Sequence, residues 1–248
     1  MIEYKFDEET IKVKRSEIST QLIKESMNIK SPIIKELSPL DLKILFELYD
    51  SMFLNNWFKD NFRGTFKFSL STRMTKSAGF TFCPKNISIL KPEDVVIEFR
   101  IGVDFFFQYE NLKRDKVVCG IETKSSLEAL QLVLEHEICH AIEYIYFYKS
   151  SCRGERFRTI SNNLFGHTSS YHQLPSNNEI AREKFNLSIG DKVVFAFENK
   201  KLNGIIYRIN KRATVMVQDK NGQYADKQGN RYLKYYVPLN KLEGLRST

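Results

Sequence analysis

The chain has 248 residues, of which 42% are hydrophobic and 27% charged, enough to bury one large core or two smaller ones. A formal charge of +8 and a pI near 9.2 favour an acidic partner, nucleic acid first among them. No stretch approaches the roughly 20 apolar residues that span a bilayer, and the start Met1–Lys5 lacks the basic-then-apolar pattern of a secretory signal, so a cytoplasmic location is expected.

Residues 1–37 are polar and charge-rich and are set apart as an N-terminal extension, with a helix expected around Ser16 to Ile29 that ends before Pro32. Ser38-Pro39 is a helix start, an N-cap followed by proline at the first helical position, and Leu42, Leu45, Leu48, Met52 and Trp57 outline an amphipathic helix to Phe58. Thr65–Ser71 alternates with period two, as a half-buried strand does. Two further short strands are expected at Ala78–Phe82 and Val95–Ile101.

Next comes a long helical pattern. Leu127, Leu130, Leu134, Ile138, Ala141 and Ile145 form one buried stripe, and Ser125 with Glu128 reads as a capping box, so a helix is predicted from Ser126 to Tyr148. Within it, His136-Glu137-Ile138-Cys139-His140 spells H-E-x-x-H in a chain of only four histidines. Positions i and i+4 of a helix share a face, so both imidazoles reach one cation, and Glu137 can hold a water beside it and accept its proton.

Glu155 to Phe165 reads as a shorter helix stopped by Gly166, and Pro175–Asn178 as the start of a linker. Beyond Asn186 the runs Lys192–Phe197, Asn203–Ile209, Ala213–Val217 and Tyr232–Leu239 are β-rich and separated by glycine turns, which suggests a small β-barrel. From Gly190 onward twelve Lys/Arg face five Asp/Glu, so +7 of the formal +8 sits there. Lys200, Lys201, Arg208, Lys211 and Arg212, interleaved with tyrosines, are the candidate nucleic-acid contacts: cations follow a phosphate backbone and aromatic rings stack on bases. A solvated basic face over an aromatic core is the alternative. Cys83, Cys119, Cys139 and Cys152 are irregularly spaced, and reduced thiols are expected.

Taken together, Leu45–Phe53, Ser71–Gly79, His136–Ala141, Gly154–Phe157 and Tyr171–Leu174 resemble, in order, the SprT-like (Spartan-type) zinc metalloprotease domain. That resemblance implies an α+β, zincin-like domain over residues 38–175, zinc held by His136 and His140, and Glu137 as catalytic base. The segment 186–248 looks like an SH3-like barrel, clearest at Ile209–Val215.

One departure matters. The family places a third histidine ligand directly before a glycine, and here that position is Arg153, whose guanidinium has no lone pair to give. Neighbouring Cys152 ranks first as a substitute, because a thiolate is a good zinc ligand, followed by His167 and His172. A two-histidine site completed by water or a substrate group is a further option. His172 also matches a family histidine suited to structural support or substrate contact, and Arg153 is a candidate to stabilise an oxyanion at the cleft edge. The expected function is a zinc-dependent endopeptidase acting on DNA-associated proteins. The alternative is a catalytically impaired relative serving as a nucleic-acid-binding or protein-binding adaptor.

Overall fold

The computed structural model describes residues 4–245, in two compact units, 4–174 and 175–245. No described helix is long and apolar enough to cross a membrane.

The first unit opens with α1 (Glu8–Glu25), capped by Asp7, whose carboxylate accepts from Thr10 N–H at 2.8 Å. It starts eight residues before the expected helix, and its Ile11, Ile18 and Leu22 are buried in the core of this unit. Helix α2 (Pro39–Leu48) begins as expected, with Ser38 and Asp41 forming a capping box. Asp41 also accepts from Ser26 and Asn28, so one carboxylate ties the end of α1 to the start of α2.

The predicted continuation to Phe58 does not hold. A π-turn at Tyr49–Phe53 widens the helix, Asn55 and Asn56 take left-handed φ values of 54° and 59°, and a separate short α3 (Trp57–Asn61) follows. The cause is Asp50, whose carboxylate accepts from the N–H groups of Phe58 and Lys59 at 2.8 and 3.1 Å and so caps α3 from within the π-turn.

Strands β1 (Thr65–Ser71), β2 (Gly79–Phe82) and β3 (Val96–Gly102) form a sheet in the order β1-β3-β2, the first pair parallel and the second antiparallel. The Phe46 ring of α2 packs under this sheet, its centroid 4.7 to 5.5 Å from those of Phe58, Phe66, Phe68 and Phe99. A short helix α4 (Asp104–Phe107) leads to the hairpin β4 (Lys116–Val118) and β5 (Ile121–Thr123), neither strand expected from sequence because each is only three residues long. Helix α5 (Ser126–Phe147) crosses the unit as predicted. Ser125 Oγ accepts from Glu128 N–H, but the Glu128 carboxylate returns to Lys124 N–H instead of Ser125. Helix α6 (Glu155–Phe165) ends on Gly166 at φ 65°, matching the sequence reading.

The second unit starts with a correction: the stretch read as linker is α7 (Asn177–Phe185), held by a Ser176–Glu179 capping box and burying Ile180 and Ala181. Then follow β6 (Lys192–Phe197), β7 (Lys200–Ile209), β8 (Arg212–Gln218), β9 (Tyr224–Ala225), β10 (Arg231–Pro238) and β11 (Glu243–Gly244). They pair antiparallel in the order β11-β6-β7-β8-β10-β9. A barrel requires the two edge strands to meet, and no ladder among the described residues joins β9 to β11, so the expected barrel is an open sheet here. The whole is a mixed α+β chain: small sheets with helices first, then a larger antiparallel sheet.

Candidate metal centre

Helix α5 presents His136 and His140 on one face with ring centroids 4.9 Å apart, and Phe157 of α6 closes against both, at 4.8 and 4.5 Å. The segment between α5 and α6 carries Cys152 to the same place: one donor atom each from His136, His140 and Cys152 lies within 4.8 Å of the other two. Burial pushes the imidazoles down, His136 to about 3 and His140 to about 4, so both rings are neutral at neutral pH and keep a lone pair for a cation.

The atoms behind the rings fix which nitrogen is offered. His140 Nδ1 lies 2.6 Å from Ser150 Oγ, and that hydroxyl donates to Glu143 Oε2 at 2.6 Å. With the Ser150 proton committed to Glu143, the imidazole must donate through Nδ1, which leaves Nε2 as the ligand atom. Glu143 is nearly fully buried, and it also accepts from Ser151 N–H at 3.1 Å and from Arg156 Nε at 2.7 Å. The sequence reading missed Glu143, though its position three residues beyond His140 on the ligand face was a usable signal.

Glu137, adjacent to the first histidine, is buried beside strand β2. Thr81 Oγ1 donates to Glu137 Oε2 at 2.7 Å, and burial outweighs that hydrogen bond to push the carboxyl up to about 7. Gly79 permits the approach: a Cβ there would fall 2.6 Å from Glu137 Oε1 and 2.8 Å from Val133 Cγ1. Oε1 thus stands at the edge strand, while Oε2 is held by Thr81.

The other predicted candidates are placed differently. Arg153 is exposed. His167 is buried and bonded through Nε2 to Glu135 Oε2 at 2.8 Å, and it belongs to a separate donor set with Cys119 and His136. His172 bridges to Val118, packs edge-on against Phe105 at 4.9 Å and joins neither donor set. The four cysteines are all free thiols, in agreement with expectation.

In the second unit the basic candidates do not form one cluster. Lys200 and Lys201 begin β7, whereas Arg208 lies near its far end, Lys211 in the turn that follows and Arg212 at the start of β8, a strand length of about 30 Å away. All five are exposed. Between these ends, the outer face of the sheet gathers Tyr207, Tyr224 and Tyr236, exposed at 68%, 42% and 64%, near Lys234, whose Nζ sits 3.8 Å over the Tyr224 ring.

A comparison with protein families places residues 47–178, slightly over half of the chain, on the model of the SprT-like family. No curated protein and no solved structure matches the chain.

Proposed function

The chain belongs to the SprT-like family, and from that premise we propose that its first unit is a zinc-dependent endopeptidase on a zincin-like scaffold, with Cys152, next to the position of the third histidine of relatives, supplying the third ligand. The observation that carries this reading is the convergence of His136, His140 and Cys152 donor atoms within 4.8 Å beside the buried carboxyl of Glu137. Two neutral nitrogens and one thiolate are a donor set that zinc favours. When bound, zinc would supply Lewis acidity to a peptide carbonyl and to water.

The chain's own groups do the rest. Glu137 takes a proton from water at Oε1 and later delivers it to the leaving amine, and a carboxyl pushed up to about 7 can do both near neutral pH. Thr81 keeps Oε2 fixed, so the carboxylate does not turn away from the cleft. Ser150 and Glu143 orient His140, and the Phe157 ring excludes water from the backs of both imidazoles.

For the second unit the reading is a recognition module for DNA built on its antiparallel sheet, so that substrates are DNA-associated proteins. Its support is the excess of positive charge and the tyrosines around Lys234, where rings can stack on bases while cations meet phosphates. The test is metal content with proteolysis. The purified chain should hold one zinc per molecule and cleave an unstructured protein, and His136→Ala should lose both. A stable, metal-free and inactive chain that still binds DNA with a steep salt dependence would instead favour the impaired, adaptor-type alternative.

A further inference from the structure

Among the described residues, three buried side-chain atoms lack a hydrogen-bond partner: His167 Nδ1, Ser169 Oγ and His172 Nε2. All three lie in the stretch after α6, and that stretch is laced to one residue. The N–H groups of Thr168 and Ser169 donate to the Cys119 carbonyl at 3.0 and 3.2 Å, and Cys119 N–H donates to Tyr171 O at 2.9 Å. A buried polar atom without a partner is costly, and of these three residues His167 is the one that also belongs to a candidate donor set.

Cys119 has its own peculiarity. It occupies the first central position of the β4–β5 turn at φ 52°, followed by Gly120 at φ 82°, a turn that favours Asn, Asp or Gly at that place. This buried cysteine is held in that uncommon conformation with its thiol 3.8 Å from both His136 Nδ1 and the Leu132 carbonyl oxygen.

The donor set is complete enough to name. Cys119, His136 and His167 each offer one ligand atom, all within 4.8 Å of one another. Around a tetrahedral zinc, sulfur and nitrogen ligands stand about 3.6 Å apart, close to the 3.8 Å between Cys119 Sγ and His136 Nδ1. His167 spends Nε2 on Glu135, leaving Nδ1 as the lone pair it can give. A carboxylate behind a histidine whose opposite nitrogen is bare is the usual support of a metal-binding imidazole.

We propose that Cys119, His136 and His167 form a second, inner position for a thiophilic metal ion such as zinc, distinct from the set that includes His140 and Cys152. Coordination makes a sulfur–metal bond and breaks the Cys119 S–H bond, and the proton leaves to bulk solvent. His136 belongs to both sets, and its neutral imidazole has a single free lone pair, so one ion per chain occupies either the cleft or the inner position. An ion drawn inward is withheld from the cleft. The inner position does not require the chain to be a protease.

Cobalt reports on it directly, because a cysteine thiolate bound to cobalt gives a near-ultraviolet charge-transfer band. With one equivalent of cobalt on the full chain, Cys152→Ser and Cys119→Ser should each keep the band, and the double variant should lose it. Loss in Cys152→Ser alone would overturn the inner position, as would loss in both single variants, which would mean one shared site. Loss in Cys119→Ser alone would keep the inner position and sink the outer ligand set. Should Cys119→Ser fail to fold, anomalous scattering from zinc in crystals of the unmutated chain decides the matter. Density between Cys119, His136 and His167 supports the proposal, and density confined to His136, His140 and Cys152, or ordered water in the inner place, refutes it.

Discussion

Glu135 and Glu137 stand two residues apart on one helix, both essentially buried, and their surroundings treat them in opposite ways. Burial alone would raise both. Around Glu135 it is outweighed: Arg15 of α1 donates to both carboxylate oxygens at 2.7 and 2.5 Å, Tyr49 donates at 2.7 Å and His167 lies at 2.8 Å, and the carboxyl is held below its ordinary range. Around Glu137, Thr81 alone among the described residues opposes it, and the carboxyl rises to about 7. One is a charged keystone that must stay ionised. The other is poised to exchange a proton. Two carboxyls two residues apart thus meet opposite electrostatics because the helix turns them to different walls of the unit.

That contrast can be broken from either side. The largest effect is expected at Glu137→Gln, which keeps shape and hydrogen bonding but cannot accept a proton: cleavage should fall by about 10²–10⁴-fold with zinc content unchanged, read by peptide hydrolysis beside elemental analysis. Arg15→Ala should instead destabilise the fold by about 3–5 kcal/mol, by leaving a buried carboxylate without its cation, and chemical denaturation would measure it. A shift below 1 kcal/mol would show that the keystone is not Arg15.

Smaller effects sharpen the picture. Ser150→Ala should weaken metal binding about 10–100-fold without unfolding the chain, since His140 would lose the partner that fixes its tautomer; competition with a chelator reads this. Thr81→Val removes the hydrogen bond that lowers the Glu137 carboxyl. The folded pKa then rises further, so the acid limb of the pH–rate profile should move to higher pH, and an unmoved limb would dissociate Thr81 from the base.

Sequence patterning reached the site unevenly. His136, Glu137 and His140 were legible because a five-residue motif sat on a helical stripe whose period is independent of it. Cys152 was reachable by asking what replaces a ligand that arginine cannot supply. Thr81, Ser150 and Cys119 were not legible: they meet the motif across 56, 10 and 17 residues of chain, and no local pattern encodes such meetings. The break at Tyr49–Phe53 escaped for a related reason, since the apolar spacing runs on through it and only the Asp50 carboxylate turned onto α3 reveals it. In the second unit, the alternation located β6, β7, β8 and β10 to within a few residues, but whether the sheet closes depends on how its edges meet.

The bond from Arg15 to Glu135 has a practical consequence for anyone trimming this polypeptide. A fragment begun at residue 38, where sequence suggests a boundary, or at 47, where the family match starts, discards Arg15 together with Ile11, Ile18 and Leu22. It would leave an orphaned anion one residue from His136 and strip apolar cover from the same wall. Such an excised fragment should aggregate or misfold during expression, and a lack of activity in it would say nothing about the chemistry proposed for His136, Glu137 and His140.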